Sequence, residues 1–200
     1  MADKFEIDHG ITTKTPDNVV IGAGFLVRDY EDDMDDAELA KNILSATSGG
    51  IKLTIGPNVI DLELDGAAVA VERLSNVKQG EEAQMETNIV ELTAEMMAKM
   101  IIGDIVDDPE KGFVTITTSP HIEESAYYKN LTWIGRKANG DRLSVTFGMA
   151  LITGGFAGEF KNKEKTAYPV VIKCVAPIND EGKSYLTLPI TIRMDKPSVG

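Results

Sequence analysis

The sequence predicts a mainly β protein: a β-sandwich or barrel of about eight to ten strands with one flanking α-helix, an extended N-terminal arm and one long loop. Three observations point there. Apolar residues recur mostly with period two, the spacing that sends alternate side chains to opposite faces of a strand. Turn residues punctuate the runs, as at Gly56-Pro57-Asn58, Asp65-Gly66 and Asn139-Gly140. The strongest helical pattern is confined to one short window, 93–102.

The chain has 200 residues, enough for one substantial core and short for two domains. The β domain is expected over residues 18–194, between an arm at 1–17 and a C-terminal tail at 195–200. No run approaches the roughly 18 apolar residues that mark a membrane span, and residues 1–10 lack the basic start and apolar stretch of a signal peptide. Cys174 is the one cysteine, so no internal disulfide is expected, and its strand context reads as a small core hydrophobe in a chain that matures in a reducing cytosol. A formal net charge of −12 disfavours sequence-specific DNA binding, because unpatterned surface of that sign repels phosphates. The same repulsion suits a conduit through which DNA slides.

The first strand is expected at 18–27, where Val19-Val-Ile21 and Phe25-Leu-Val27 flank Gly22-Ala-Gly24, glycines that fit a bend or a close backbone approach. A long loop, 28–50, follows. It carries an acidic run at 29–36 and a capping-box pattern, Asp35 with Glu38, for a short helix over 35–44, and Ser48-Gly49-Gly50 ends it. Strands are read at 51–55 and 59–64 around the Gly56-Pro57-Asn58 turn, and alternation resumes across 67–74. In 81–91, Ala83, Met85, Thr87 and Ile89 share one face while Glu82, Gln84, Glu86 and Asn88 share the other, one side buried and one wet.

The helix at 93–102 has Thr93 as N-cap, a staple from Leu92 to Met97, and an apolar stripe of Met96, Met97, Met100 and Ile101. Glu95 and Lys99 stand at i,i+4, and Gly103 occupies the position that favours a left-handed C-terminal glycine. The Met stripe reads as core packing against the sheet. Residues 104–110 read as an acidic connector and 113–118 as a strand stopped by Ser119-Pro120. Residues 131–137 and 143–152 read as a hairpin around Asn139-Gly140. In its second strand Val145, Phe147, Met149 and Leu151 face one way. Thr146, Gly148 and Ala150 face the other, a smooth surface suited to another element or subunit. A basic segment, 161–165, leads to a strand at 168–176, and Glu181-Gly182-Lys183 turns into a last strand, 184–194, which Pro189 places at an edge or bulge.

No catalytic set, metal or cofactor is expected. Gly22-Ala-Gly24 matches the first half of a dinucleotide fingerprint, but the third glycine and the helix that would hold the phosphate are missing. Asp29, Glu31, Asp32, Asp33, Asp35 and Asp36 offer no register with the spaced ligands, central glycine and terminal glutamate of an EF-hand, so a solvated acidic loop is the plainer reading. His9 and His121 lack a second histidine or a cysteine at metal-ligand spacing. His121 with Glu123 and Glu124 is a weak acid–base set that any surface loop supplies.

One stretch is more specific. Ser45-Ala-Thr-Ser-Gly-Gly50-Ile-Lys-Leu-Thr-Ile55, followed by Asn58-Val-Ile-Asp-Leu-Glu-Leu-Asp65-Gly66-Ala67, closely resembles the early part of the major tail proteins of long-tailed bacteriophages and prophages. There a GAT-x-GG segment precedes one strand and an acidic strand with its turn follows. Gly22-Ala-Gly24-Phe25-Leu-Val-Arg-Asp29-Tyr30 resembles that family's opening strand. Residues 82–92, running straight into Thr93-Ala-Glu-Met-Met, are similar to its strand-to-helix transition, and Glu159-Phe-Lys-Asn-Lys163 with Tyr168-Pro-Val-Val-Ile-Lys173 to its closing strands. The likeness covers most of 18–176 and its motifs are structural. The acidic insert at 31–44 is longer than the family pattern.

The resemblance implies a tail-tube fold, two β-sheets with a flanking helix, built into hexameric rings that stack as a hollow tube for genome delivery. It implies a virion location after synthesis in the host cytoplasm. As partners it implies further copies of the chain, tape-measure, tail-tip and terminator proteins, and double-stranded DNA that passes without specific binding; no membrane is involved. On that reading Glu82, Gln84, Glu86 and Asn88 are the candidate lumen face, whose acidic charge discourages DNA from sticking. Candidate inter-subunit contacts are Asp29, Asp32, Asp35, Leu39, Ile43, Gly148 and Ala150. The alternative is a monomeric carbohydrate- or receptor-binding β-sandwich module of a phage tail, for which Tyr127, Tyr128 and Trp133 would supply stacking aromatics. An enzyme using His121 with Glu123 or Glu124 is the weakest of the three readings.

Overall fold

The computed structural model describes residues 9–62, 65–66, 69, 71–72, 75–178 and 186–195. Along the chain run a one-turn helix α1 (Thr15–Asn18), β1 (Val20–Val27), α2 (Asp36–Asn42), β2 (Thr47–Asp61), β3 (Asn76–Ile89), α3 (Ala94–Ile101), β4 (Gly103–Asp108), β5 (Phe113–Thr118), β6 (Tyr127–Lys137), β7 (Arg142–Ile152), β8 (Tyr168–Cys174) and β9 (Ile190–Met194). Seven strands make one curled antiparallel sheet in the order β1-β6-β7-β8-β3-β2, with β9 pairing the first half of β7, and β4 and β5 form a separate hairpin. The mainly β, sandwich-or-barrel class is therefore observed, and α2 joins α3 as a second helix of more than one turn.

The sheet curls until its outer strands approach. Arg28 N–H donates to the Asn42 carbonyl at 2.9 Å, Leu44 N–H donates to the Leu26 carbonyl at 2.8 Å, and a bridge joins Val27 to Ile43. The inner face buries Leu26, Met85, Ile89, Leu131, Phe147 and Ile172, and Met96 and Met100 of α3 enter the same core. Burying each such side chain is worth roughly 1.5–3 kcal/mol. The alternation read in β3 holds residue for residue: Ala83, Met85, Thr87 and Ile89 are buried, while Glu82, Gln84, Glu86 and Asn88 are exposed or half-buried.

α3 starts where its cap predicts, the Thr93 hydroxyl accepting from Met96 N–H at 3.1 Å. Its buried residues are Met96, Ala98 and Met100, while Met97 and Ile101 are half-buried. Its C-terminus corrects the sequence reading, because the left-handed residue is Ile102 (φ 52°) and Gly103 opens β4 instead. There the reason for glycine is space, since a β-carbon would lie 2.6 Å from the Thr117 carbonyl oxygen. The Glu95 and Lys99 pair is also replaced. Glu95 bonds Arg28 at 2.6 Å, and Lys99 donates to the carbonyls of Ser125 and Tyr127. An exposed i,i+4 pair, worth about 0.3–0.5 kcal/mol, is outbid by acceptors fixed in the fold.

Three other expectations shift. Gly56-Pro57-Asn58 is no turn: β2 runs through it, with Gly56 opposite Glu82 and Pro57 opposite Glu81. Because β2 is the sheet's outer strand, a residue without an N–H costs it no ladder bond on the free side. The acidic connector at 104–110 contributes β4, in register with β5 from Gly103↔Thr118 to Asp108↔Phe113. And 28–50 is not a free loop. Asp35 accepts from Ala37 and Glu38 N–H while Glu38 accepts from Asp35 N–H, the expected capping box, and α2 packs through Leu39 with Val27, Tyr30 and Ile134 in a second cluster outside the main core. The alternation read at 67–74, the end of the strand read at 59–64, the turn at Glu181-Gly182-Lys183 and the start of the last strand lie partly or wholly outside the described residues. So do residues 1–8 of the arm and 196–200 of the tail.

The faces of β7 are also corrected. Val145 and Phe147 point into the core before Gly148, and Ala150 and Ile152 do so after it, so the inward face changes parity. On β6 the same slip separates Tyr128 from Leu131, at Asn130, whose φ of 46° is left-handed. Ala150 is fully buried, and the element packed on Gly148 belongs to this chain: a β-carbon there would lie 3.0 Å from Pro189, whose carbonyl accepts Gly148 N–H at 2.7 Å.

Candidate functional site

Surface, and not a cleft, carries what is distinctive. The outward face of β2, β3 and β8 holds the four residues expected to be acidic lining. Glu86 accepts from Lys52 at 2.8 Å and from Gln84 at 2.9 Å, and the Lys52 bond holds its carboxyl below the ordinary range. Lys173 of β8 stands opposite Gln84, and Pro169 opposite Asn88. The face is thus wet but close to charge-balanced, because neighbouring strands bring lysines that the β3 sequence alone does not show.

The proposed contact residues divide. Asp29, Asp32, Asp35 and Ile43 are exposed. Asp32 pairs with Arg193 of β9, and Asp35 caps α2. Leu39, Gly148 and Ala150 are covered by their own chain, so as outward contacts they are corrected: local smoothness in the sequence reflected internal packing.

Arg28, Glu95, Lys99, Tyr128 and Lys129 line a cleft of about 440 Å³ where α3 meets β6. Its cations are already engaged: Arg28 by Glu95, Lys129 by Glu124, and Lys99 by two carbonyls and by the Tyr128 ring, 4.3 Å away. Burial holds the Lys99 amine below its ordinary range and pushes the Tyr128 phenol above its own. The cleft is a brace between helix and sheet.

The aromatics of the binding-module reading do not form a platform. Tyr128 is buried with its hydroxyl toward the Met96 sulfur, Tyr127 is half-buried on the adjacent, opposite-facing position, and the Trp133 indole is wedged between Gly24 and Gly135 and donates to the Ala23 carbonyl at 3.0 Å. His121 is exposed and its backbone N–H faces the Ser119 hydroxyl, while Glu124 is held by Lys129. Among the described residues no three His, Cys, Asp or Glu side chains are grouped to hold a metal ion, and no helix is long and apolar enough to cross a membrane.

Two paired-strand ribbons were missed as surfaces. β8 covers β3 only from Gln84 to Ile89, so the rest of the β2–β3 hairpin runs on as a two-stranded ribbon with Ile55, Val59 and Val77 exposed. The β4–β5 hairpin exposes Val106 (56%) and Phe113 (54%) with Ile105 and Val114. The signal for the first was the length of the alternation on both sides of Asp65-Gly66. Protein-family models and curated proteins were compared with the chain, and neither gives a match.

Proposed function

We propose that this protein is a structural subunit of a bacteriophage tail tube, self-assembling into stacked, hexameric rings through which the genome passes. The observation that carries the reading is the pair of ribbons. An isolated two-stranded hairpin is at best marginally stable in water, yet both ribbons present several large apolar side chains to solvent. Soluble monomers rarely leave such surface uncovered, and it marks sites of association. The curled sheet beside them supplies a rigid body with a wet outward face, and the sequence likeness to major tail proteins supplies the kind of assembly. Assembly of identical subunits by unlike surfaces closes into rings about an axis or repeats along it, and it requires no cofactor. The test is negative-stain electron microscopy of the purified protein at high concentration, with light scattering for its mass. Hollow rings or tubes of uniform diameter are expected; a chain that stays monomeric and also fails to extend a supplied tail-tip complex would refute the reading.

A further inference from the structure

The Asn139-Gly140 hairpin sets Arg136 of β6 directly opposite Arg142 of β7, and β1 adds exposed Ile21 opposite Arg136, so Ile21, Arg136 and Arg142 form one row across three strands. Arg193 stands one row along, opposite Ser144. Like charges directly opposite in a sheet are destabilising, and this chain carries 32 acidic residues against 20 basic ones, so partners are not scarce. Arg193 takes Asp32, but neither Arg136 nor Arg142 pairs with a carboxylate among the described residues. The carboxylates around them are otherwise placed: Asp195 accepts Arg142's backbone N–H, and Asp141 holds Asn139.

The reverse surface is the β4–β5 hairpin. It carries Asp104, Asp107, Asp108 and Glu110, of which, among the described residues, only Asp108 has an ion-pair partner, Lys111 at 2.7 Å. Exposed Val106 and Phe113 lie on the face that Asp104 shares. Among the described residues the two charge sets do not pair within one chain.

We propose that the Arg136–Arg142 row is the docking site for the acidic β4–β5 hairpin of a second copy of this chain, carboxylates meeting the guanidiniums and Val106 or Phe113 meeting Ile21. The contact joins unlike surfaces, so each copy offers one of each and association propagates. A second copy fits better than duplex DNA, because the hairpin supplies apolar as well as anionic groups while a chain of net charge −12 repels polyanions at long range. The inference deepens the assembly reading and rests on it.

The test is charge reversal. R136E/R142E and D104K/D108K variants, the latter both on the face that carries Val106 and Phe113, with R136Q/R142Q as a milder form, are checked for folding by circular dichroism and then for association by sedimentation at low salt. Each alone is expected to need at least about tenfold higher concentration than the parent to associate, the scale of close charge-pair coupling. An equimolar mixture of the two reversed variants is expected to restore association, since each then offers the other's complement. Reversed variants that associate as the parent does would overturn this contact and leave the tube reading standing. Loss of duplex-DNA binding in R136E/R142E with association intact would overturn it in favour of nucleic acid, and a parent chain that never associates would overturn contact and tube together.

Discussion

Gly24 and Gly135 both face Trp133, and substituting them separates two kinds of crowding. At Gly24, φ is +67°, and a β-carbon would lie 2.4 Å from both the Ile134 carbonyl oxygen and the Trp133 indole nitrogen. The left-handed backbone costs a residue with a side chain roughly 1–2 kcal/mol, and forcing atoms into filled space costs about 1–3 kcal/mol. Gly24→Ala should therefore destabilise by about 3 kcal/mol, which at a urea slope of about 2 kcal/mol/M moves the midpoint down by ~1.5 M. Trp133 is the chain's one tryptophan, so its fluorescence reports both the transition and any loss of the indole bond to Ala23. At Gly135 the nearest atoms, from 2.5 Å, all belong to the Trp133 ring, so Gly135→Ala should also be costly, but in a Trp133→Leu background, followed by circular dichroism, most of that cost should vanish. Gly24→Ala should keep most of its cost there, because its other neighbour is backbone. A Gly24→Ala midpoint within about 0.3 M of the parent, or equal relief of both by Trp133→Leu, would refute this account of the β1–β6 packing.

Other outcomes follow from single contacts. Asp35→Ala removes the side-chain half of the capping box on α2, the carboxylate that accepts from Ala37 and Glu38 N–H, and should lower stability by about 1 kcal/mol in urea melts. Phe147→Ala empties the centre of the core, where Phe147 is fully buried, and should cost about 3–5 kcal/mol. Burial pushes the Cys174 thiol up to about 12. Its folded value lies above its unfolded one, so its contribution to stability is complete below the ordinary thiol range and disappears as pH rises toward the folded value. Thiol-reagent labelling at pH 8 should accordingly track global unfolding, and rapid labelling of the native protein would contradict the burial.

The parts of the fold legible in the sequence were those set by near neighbours. The capping box at Asp35 and Glu38, the N-cap at Thr93, the Asn139-Gly140 hairpin and the strict alternation from Ala83 to Ile89 each depend on groups a few residues apart. What escaped depends on distant partners. Pro57 looks like a turn residue until β2 is known to be the outer strand, and Gly103 looks like a helix terminus until Thr117 is found beside it. Glu95 looks paired with Lys99 until β1 delivers Arg28.

The candidate site was harder for a related reason. Small residues at Gly148 and Ala150 invite close approach, but a sequence does not say whether the approaching chain is the same molecule, and here it is Pro189. The parity change at Asn130 and Gly148 deepened the error, because a two-residue period carried across such a break assigns every later side chain to the wrong face. The Arg136 and Arg142 opposition escaped as well: with Asn139-Gly140 as a two-residue turn Arg142 would face Lys137, whereas the observed loop is one residue longer and sets it against Arg136. Two arginines set opposite each other, with no carboxylate paired to either among the described residues, are the observation on which the proposed contact with a second copy rests.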